Sequence, residues 1–253
     1  MAIYSMGIDA GGPSIKGALV DIEEGRIVGE VQTTEVPPRA TVEMIGEAVA
    51  KLTESCGADA DTPVGVGFPA PVVRGHIPFI AHLSPLWVGM NAAEFFGQYL
   101  GRPVSILNDA DAAGLAELTY SDTINDNQTV IFLILSSGVG SALFADGKLF
   151  PNTELGHMRL SENIMDAELW VAPAVRVSEN LSIEEWAERL RLYLYSLEEL
   201  FNPDVFIIGG GVSEYYEEFS TLLSTRATII PATLRDEAGI VGAARYAYDM
   251  RTS

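Results

Sequence analysis

The chain has 253 residues, 48% of them hydrophobic, long enough for one large domain or two modest ones. Its formal charge of −20, from 15 Lys and Arg against 35 Asp and Glu, argues against general nucleic-acid or anionic-membrane binding but leaves room for a local phosphate pocket. The lone Cys56 excludes an intramolecular disulfide and a cysteine-rich zinc site, and a cytoplasmic location is expected because no N-terminal signal and no apolar run near the roughly 20 residues that span a bilayer are present.

In chain order, residues 3–9 read as a strand ending in Asp9, followed by a glycine-rich turn, Ala10-Gly11-Gly12-Pro13-Ser14-Ile15-Lys16-Gly17. Residues 18–22 and 27–31 read as two more strands around a turn at Glu23–Arg26, which makes a meander. Glycines let a backbone approach a ligand closely and a nearby Lys can neutralise phosphate, although a diglycine turn is by itself only a turn. Residues 41–56 carry Val42, Ile45, Ala48, Val49 and Leu52 at helical spacing. A buried strand at 63–68, a helix at 91–100 and a strand at 103–107 follow.

That last strand runs into Asn108-Asp109 and then an Ala-rich helix. The pair therefore sits at a strand-to-helix junction, where side chains can face a cleft. A carboxylate beside an amide suits a site that grips a hydroxyl and takes its proton; the plainer role for such a pair is an N-cap. Asp111 and Glu117 read as helix-surface or capping groups.

The polar stretch 121–128 is the expected boundary between residues 1–120, a smaller N-terminal α/β domain, and residues 121–253, a larger C-terminal one whose last helix can pack back on the first. Residues 129–135 form an apolar strand running into Ser136-Ser137-Gly138-Val139-Gly140, then a strand at 142–144 and a turn at 145–148. This repeats the order of residues 3–31, as a diverged duplication would. Residues 182–201 read as a long helix with Ser182 and Glu185 as a capping box. A strand at 205–208 ends in Gly209-Gly210-Gly211. Helix-like residues 214–223, a strand at 228–230 and an Ala/Gly-rich helix over 239–250 complete the order. Two such α/β halves leave a cleft, the kind of place small ligands prefer. Trp87, Trp170 and Trp186 read first as packing.

These stretches together resemble the sugar kinases of the ROK family, and within it the polyphosphate/ATP-dependent glucokinase branch. The first phosphate loop of the family, Asp-x-Gly-Gly-Thr-x-x-Lys, is matched by Asp9–Lys16 except at Pro13; the second resembles Leu135–Gly140. The sugar-binding Glu-x-Gly-His is met at Glu154–His157 and the Asn-Asp pair at Asn108-Asp109. The resemblance covers nearly the whole chain. It implies a two-domain actin-like ATPase (ribonuclease H-like) fold with an interdomain cleft, and in-line transfer of a phosphoryl group from ATP or polyphosphate, with Mg2+, to the 6-hydroxyl of glucose, with mannose as a further candidate acceptor. Asp109 is then the general base, and Asn108, Glu154, His157 and Glu168 hold the sugar. Asp9, Gly11, Gly12, Lys16, Ser137, Gly138, Gly209, Gly210 and Gly211 lie on the donor side. Glu168 belongs to Asp166-Ala167-Glu168, the family's Asp-Ala-Glu, here two residues further from the His. A homodimer is implied, and no protein zinc site, because the chain lacks the three cysteines most of the family carry.

The donor side departs most from the family pattern. Pro13 replaces a Thr, Ser136 replaces a Gly where φ > 0 would strain a side chain, and Glu214-Tyr215 stand where the branch tends to be basic. His82 replaces an Asn near the sugar. An active hexokinase and a weakly catalytic sugar-binding sensor both stay open at this point. A DNA-binding regulator of the same family is not expected, because the chain opens on the first strand.

Overall fold

A computed structural model describes residues 3–11, 14–37, 40–80, 83–121, 124–164 and 166–252. Gly12, Pro13 and His82, singled out above, lie outside them. The chain divides into two compact units, Met1–Tyr120 with Glu237–Ser253, and Ser121–Asp236.

In the first unit β1 (Tyr4–Asp9), β2 (Ser14–Asp21) and β3 (Arg26–Glu35) form an antiparallel meander, and β4 (Val64–Phe68) and β5 (Ser105–Asn108) add in parallel to give the order β3-β2-β1-β4-β5. β4 is buried along its whole length and its Val-Gly-Val-Gly-Phe has no polar alternation, as a central parallel strand requires. Helix α1 (Val42–Ser55) begins at Thr41, whose hydroxyl accepts the Met44 N–H, and buries Val42, Ile45, Val49 and Leu52. α2 (Ala92–Leu100) starts at an Asn91 cap and ends at Gly101 in the left-handed conformation. Phe68 meets Trp87 and Phe96 edge-on in this core, and Trp87 and Phe96 pack tilted against each other.

α3 (Asp109–Tyr120) follows β5 without a loop. In the second unit β6 (Thr129–Leu135), β7 (Val139–Ala145) and β8 (Lys148–Phe150) are antiparallel, and β9 (Val205–Gly209) and β10 (Thr228–Pro231) add in parallel on the far side of β6. The order β10-β9-β6-β7-β8, read from its other edge, repeats that of the first sheet strand for strand. The repeat expected from two glycine-rich hairpins thus extends to both parallel additions.

Two short helices, α4 (Glu168–Val171) and α5 (Pro173–Ser178), precede α6 (Ile183–Phe201). α6 has both bonds of its capping box: Ser182 Oγ accepts the Glu185 N–H and Glu185 accepts the Ser182 N–H. It buries Trp186, Leu190, Leu194 and Leu197 against the sheet, and Trp186 Nε1 donates to the Val171 carbonyl. Trp186 and Trp87 are fully buried, whereas Trp170 is half-buried beneath the Arg189 guanidinium, 5.5 Å from its ring centre. The helix expected over 214–223 is broken. A 3-10 turn at Gly211–Tyr215, the four-residue α7 (Tyr216–Phe219) and another 3-10 turn at Ser220–Leu222 replace it, since only Val212 and Phe219 are buried and they cannot anchor a continuous helical stripe.

α8 (Ala238–Thr252) groups with the first unit rather than with the residues that precede it in the chain. α8 lies on β1 and β4 and crosses α3. Glycine makes this approach feasible. A Cβ at Gly65 would overlap the Ala243 carbonyl, and one at Gly242 would overlap the carbonyl of Ala112 in α3. Asp111 and Glu117, expected on the surface of α3, are buried instead, and Asp111 lies close enough to Tyr246 of α8 to push its phenol pKa upward after burial does.

Candidate active site

In a sheet with parallel strands, ligands meet the carboxyl ends. At that edge of the first unit, Asp9 is paired with Gly67, Gly67 with Leu107, and Phe68 with Asn108. Asp9 ends β1 and Asn108 ends β5, so both lie at that edge. Asp9 Oδ1 accepts the Gly11 N–H at 3.2 Å. A Cβ built on Gly11 would lie 3.2 Å from Asp9 Oδ1 and 3.8 Å from Asp109 Oδ2, so Gly11 stands beside both carboxylates. Lys16 is the cross-strand partner of Asp9 in the β1–β2 ladder, which puts their side chains on one face of the hairpin.

Asn108 is 5% exposed, and its Oδ1 accepts the Asp111 N–H at 3.0 Å. Capping is therefore real for Asn108. Asp109 is half-buried in the first turn of α3, with Oδ1 accepting the Ala110 N–H at 2.8 Å. A helix N-terminus favours negative charge at this position.

In the second unit the corresponding edge holds the turn between β6 and β7. Ser136 N–H donates to the Gly138 carbonyl, and the Ser136 carbonyl accepts the Ala174 N–H from the start of α5. The left-handed backbone expected to strain Ser136 is not adopted: the described non-glycine residues with positive φ are Arg74, Asp146, Asn152, Asn180, Asn202 and Arg235. Gly210, after β9, does have φ +84°, and a Cβ there would collide with the Leu135 carbonyl. Gly209 closes β9, while Gly211 opens the 3-10 turn that carries an exposed Glu214.

Glu154 precedes and His157 ends a single 3-10 turn, Leu155–His157, seated on β7. Ser141 of β7 fixes the approach. Its buried hydroxyl donates to the Thr153 carbonyl and accepts the Leu155 N–H, and Thr153 Oγ1 donates back to the Ser141 carbonyl. The turn brings His157 Nε2 within 4.0 Å of Glu154 Oε2. Burial holds the Glu154 carboxyl above the ordinary carboxylate range; the His157 ring opposes this and the Glu168 charge adds to it. Glu168 opens α4 and reaches back to the turn after β6, accepting the Val139 N–H at 3.2 Å with Oε2, and a Cβ on Gly138 would lie 2.5 Å from that oxygen. Its other oxygen is 3.8 Å from His157 Nδ1, and Asp166 is closer to that nitrogen, at 3.1 Å.

Sequence reasoning assigned no role to Ser141, Asp166 or Arg176. Asp166 was visible in Asp-Ala-Glu. Ser141 carried no signal beyond its place in a strand. Arg176 of α5 stands beside Tyr215: burial raises the tyrosine pKa and the guanidinium pulls it down, while Arg176 Nε has no hydrogen-bond partner among the described residues.

Two like-ordered α/β units, each with a glycine turn after its first strand, make an actin-like ATPase fold of the sugar-kinase class. The chain belongs to the ROK family, whose model matches residues 5–168. It is 37% identical over 242 residues to the polyphosphate glucokinase of Mycobacterium tuberculosis (strain CDC 1551 / Oshkosh), covering 95% of this chain and 90% of that one. The structure is similar, at TM-score 0.90 and 39% identity over 98% of this chain and 99% of that one, to the inorganic polyphosphate/ATP-glucomannokinase from Arthrobacter sp. strain KM. A ROK glucokinase from Streptomyces griseus, solved with glucose and AMPPNP, has the same fold at TM-score 0.82 and 23% identity, covering 97% of this chain and 99% of that one.

Proposed function

We propose that this chain is a glucose kinase that transfers a phosphoryl group from polyphosphate or ATP to the 6-hydroxyl of glucose, with mannose as a second acceptor. One observation carries the reading: likeness to a polyphosphate glucokinase and a polyphosphate/ATP-glucomannokinase extends over nearly the whole length of all three chains. A sugar-binding sensor without activity is not favoured. Of the three departures that kept it open, Pro13, Ser136 and Glu214, the strain expected at Ser136 is absent.

In the mechanism we propose, Asp109 accepts the proton of the 6-hydroxyl as that oxygen bonds to the terminal phosphorus and the bond from phosphorus to the leaving oxygen breaks. Phosphoryl transfer asks the protein mainly for position and charge, so a base beside a glycine turn suffices. Asn108, Glu154, His157 and Glu168 hold the other hydroxyls, and a substrate that leaves them unpaired is rejected. Asp9, Gly11, Gly12 and Lys16 serve the donor phosphates, together with Ser137, Gly138 and the triglycine after β9. Arg176 adds positive charge there, where Glu214 supplies none. Mg2+, which neutralises phosphate oxygens when bound, suits the hard carboxylate oxygen of Asp9 beside Gly11.

A cytoplasmic homodimer completes the reading. Among the described residues no helix is long and apolar enough to cross a membrane, and α6 exposes Leu192, Tyr195 and Leu200 on its outer face. A coupled assay for glucose 6-phosphate, run separately with ATP and with polyphosphate, tests the proposal. No product from either donor, with glucose binding retained in calorimetry, overturns it.

A further inference from the structure

A histidine that uses one ring nitrogen on a ligand needs something to fix the other, because an unheld imidazole can present either tautomer and rotate. His157 is 35% exposed at its side chain and sits on a three-residue turn, so packing alone does not hold it. Its Nδ1 has two carboxylates within reach, unequally. Both oxygens of Asp166 lie at hydrogen-bond distance, 3.1 and 3.3 Å, whereas Glu168 is 3.8 Å away and already accepts the Val139 N–H. His157 Nε2 points the other way, toward Glu154. Asp166 is itself set in place by its neighbours: the Ala167 N–H donates to the Met158 carbonyl, and Ala167 is fully buried.

We infer that Asp166 is a positioning residue for the sugar site: its carboxylate keeps Nδ1 of His157 protonated and donating, which leaves Nε2, beside Glu154, for a sugar hydroxyl. The inference rests on the sugar-binding role proposed for His157. It assigns to Asp166 no contact with substrate or donor. Its action is on acceptor binding alone.

The three histidines of the chain make the test tractable. Long-range 1H–15N spectra of the full-length protein, with His157→Gln to identify the signal, are expected to show a protonated Nδ1 at His157. A bare Nδ1 with the proton on Nε2 overturns the inference. At saturating donor, Asp166→Ala is expected to raise the KM for glucose about tenfold, as loss of such a supporting carboxylate commonly does, with kcat and donor KM little changed. Asp166→Asn keeps an acceptor oxygen and is expected to recover most of the loss; equal losses in the two variants overturn the hydrogen-bond role. If His157→Gln raises the glucose KM and Asp166→Ala does not, the inference fails while the sugar-site reading survives. If His157→Gln itself leaves the glucose KM unchanged, it is that reading that fails.

Discussion

Asn108 Oδ1 accepts the Asp111 N–H at 3.0 Å, so the residue before Asp109 caps the helix that Asp109 begins. The two readings of an Asn-Asp pair are thereby divided between its members. The amide closes α3, and the carboxylate stands in its first turn beside Gly11. Asp109→Asn is expected to lower kcat by about 10²- to 10⁴-fold, the usual worth of a general base, with glucose affinity in calorimetry nearly unchanged. Turnover that survives the change removes Asp109 from that role.

Asn108 can be tested apart from its neighbour. Asn108→Ala removes the cap and is expected to cost about 1 kcal/mol in stability by thermal or urea unfolding. Asn108→Asp keeps an acceptor for the Asp111 N–H but loses the amide donor. It is expected to hold near the parent stability while the KM for glucose rises. Equal stability losses in the two variants would show that the cap is not what Asn108 contributes.

Much of this was legible in the sequence because the signals were local. The Ser182–Glu185 capping box, the strand end at Asp9, the strand-to-helix junction at Asn108-Asp109 and the repeated hairpins each depend on a few adjacent residues. What escaped depended on partners distant in the chain. Asp111 and Glu117 look like surface acids on an Ala-rich helix, yet both are buried, and α8 crosses α3 with Gly242 on the Ala112 backbone and Tyr246 near Asp111. Ser141 looks like any strand serine until Thr153 and Leu155 arrive on it. Ser136 looked strained because a motif supplied the expectation, and its backbone takes another path.

The contact between α3 and α8 offers a stability test that reaches the site. A Cβ at Gly242 would overlap a backbone carbonyl, which cannot swing aside as a side chain can. Gly242→Ala is expected to destabilise by about 1–3 kcal/mol, the usual range for overpacking. Because α3 carries Asp109 at its start, kcat is expected to fall as well, even well below the melting temperature. An unchanged melting temperature would show that the two helices separate freely.

Glu154 gives a pH-dependent outcome. Its folded-state pKa lies above the ordinary carboxylate range, first because of burial and further because of Glu168, with His157 opposing. A raised carboxyl pKa means that the folded state binds the proton more tightly than the unfolded state. Its stabilising contribution is therefore full below the unfolded pKa and is lost as pH rises through the folded one. Glu154→Gln is expected to raise the melting temperature at neutral pH, with the gain shrinking toward acid, and to weaken glucose binding at every pH. A gain that grows as pH falls would reverse the sign of the argument.

Glu168 differs from Glu154 in what else it holds. Both carboxylates belong to the sugar side in the proposed mechanism, but Glu168 Oε2 also accepts the Val139 N–H at the end of the second glycine turn, packed against Gly138. A side chain at Gly138 would have to displace that carboxylate, so the turn and Glu168 are packed against each other. Glu168→Ala removes a sugar partner and leaves the Val139 N–H without its carboxylate, so the KM values for glucose and for the phosphoryl donor are both expected to rise. Glu154→Ala is expected to raise the glucose KM alone. Glu168→Gln keeps an oxygen that can accept from Val139 and is expected to restore the donor KM more fully than the glucose KM. An unchanged donor KM in Glu168→Ala, measured with ATP and with polyphosphate, would show that the loop keeps its shape without the carboxylate and that Glu168 acts on the sugar alone.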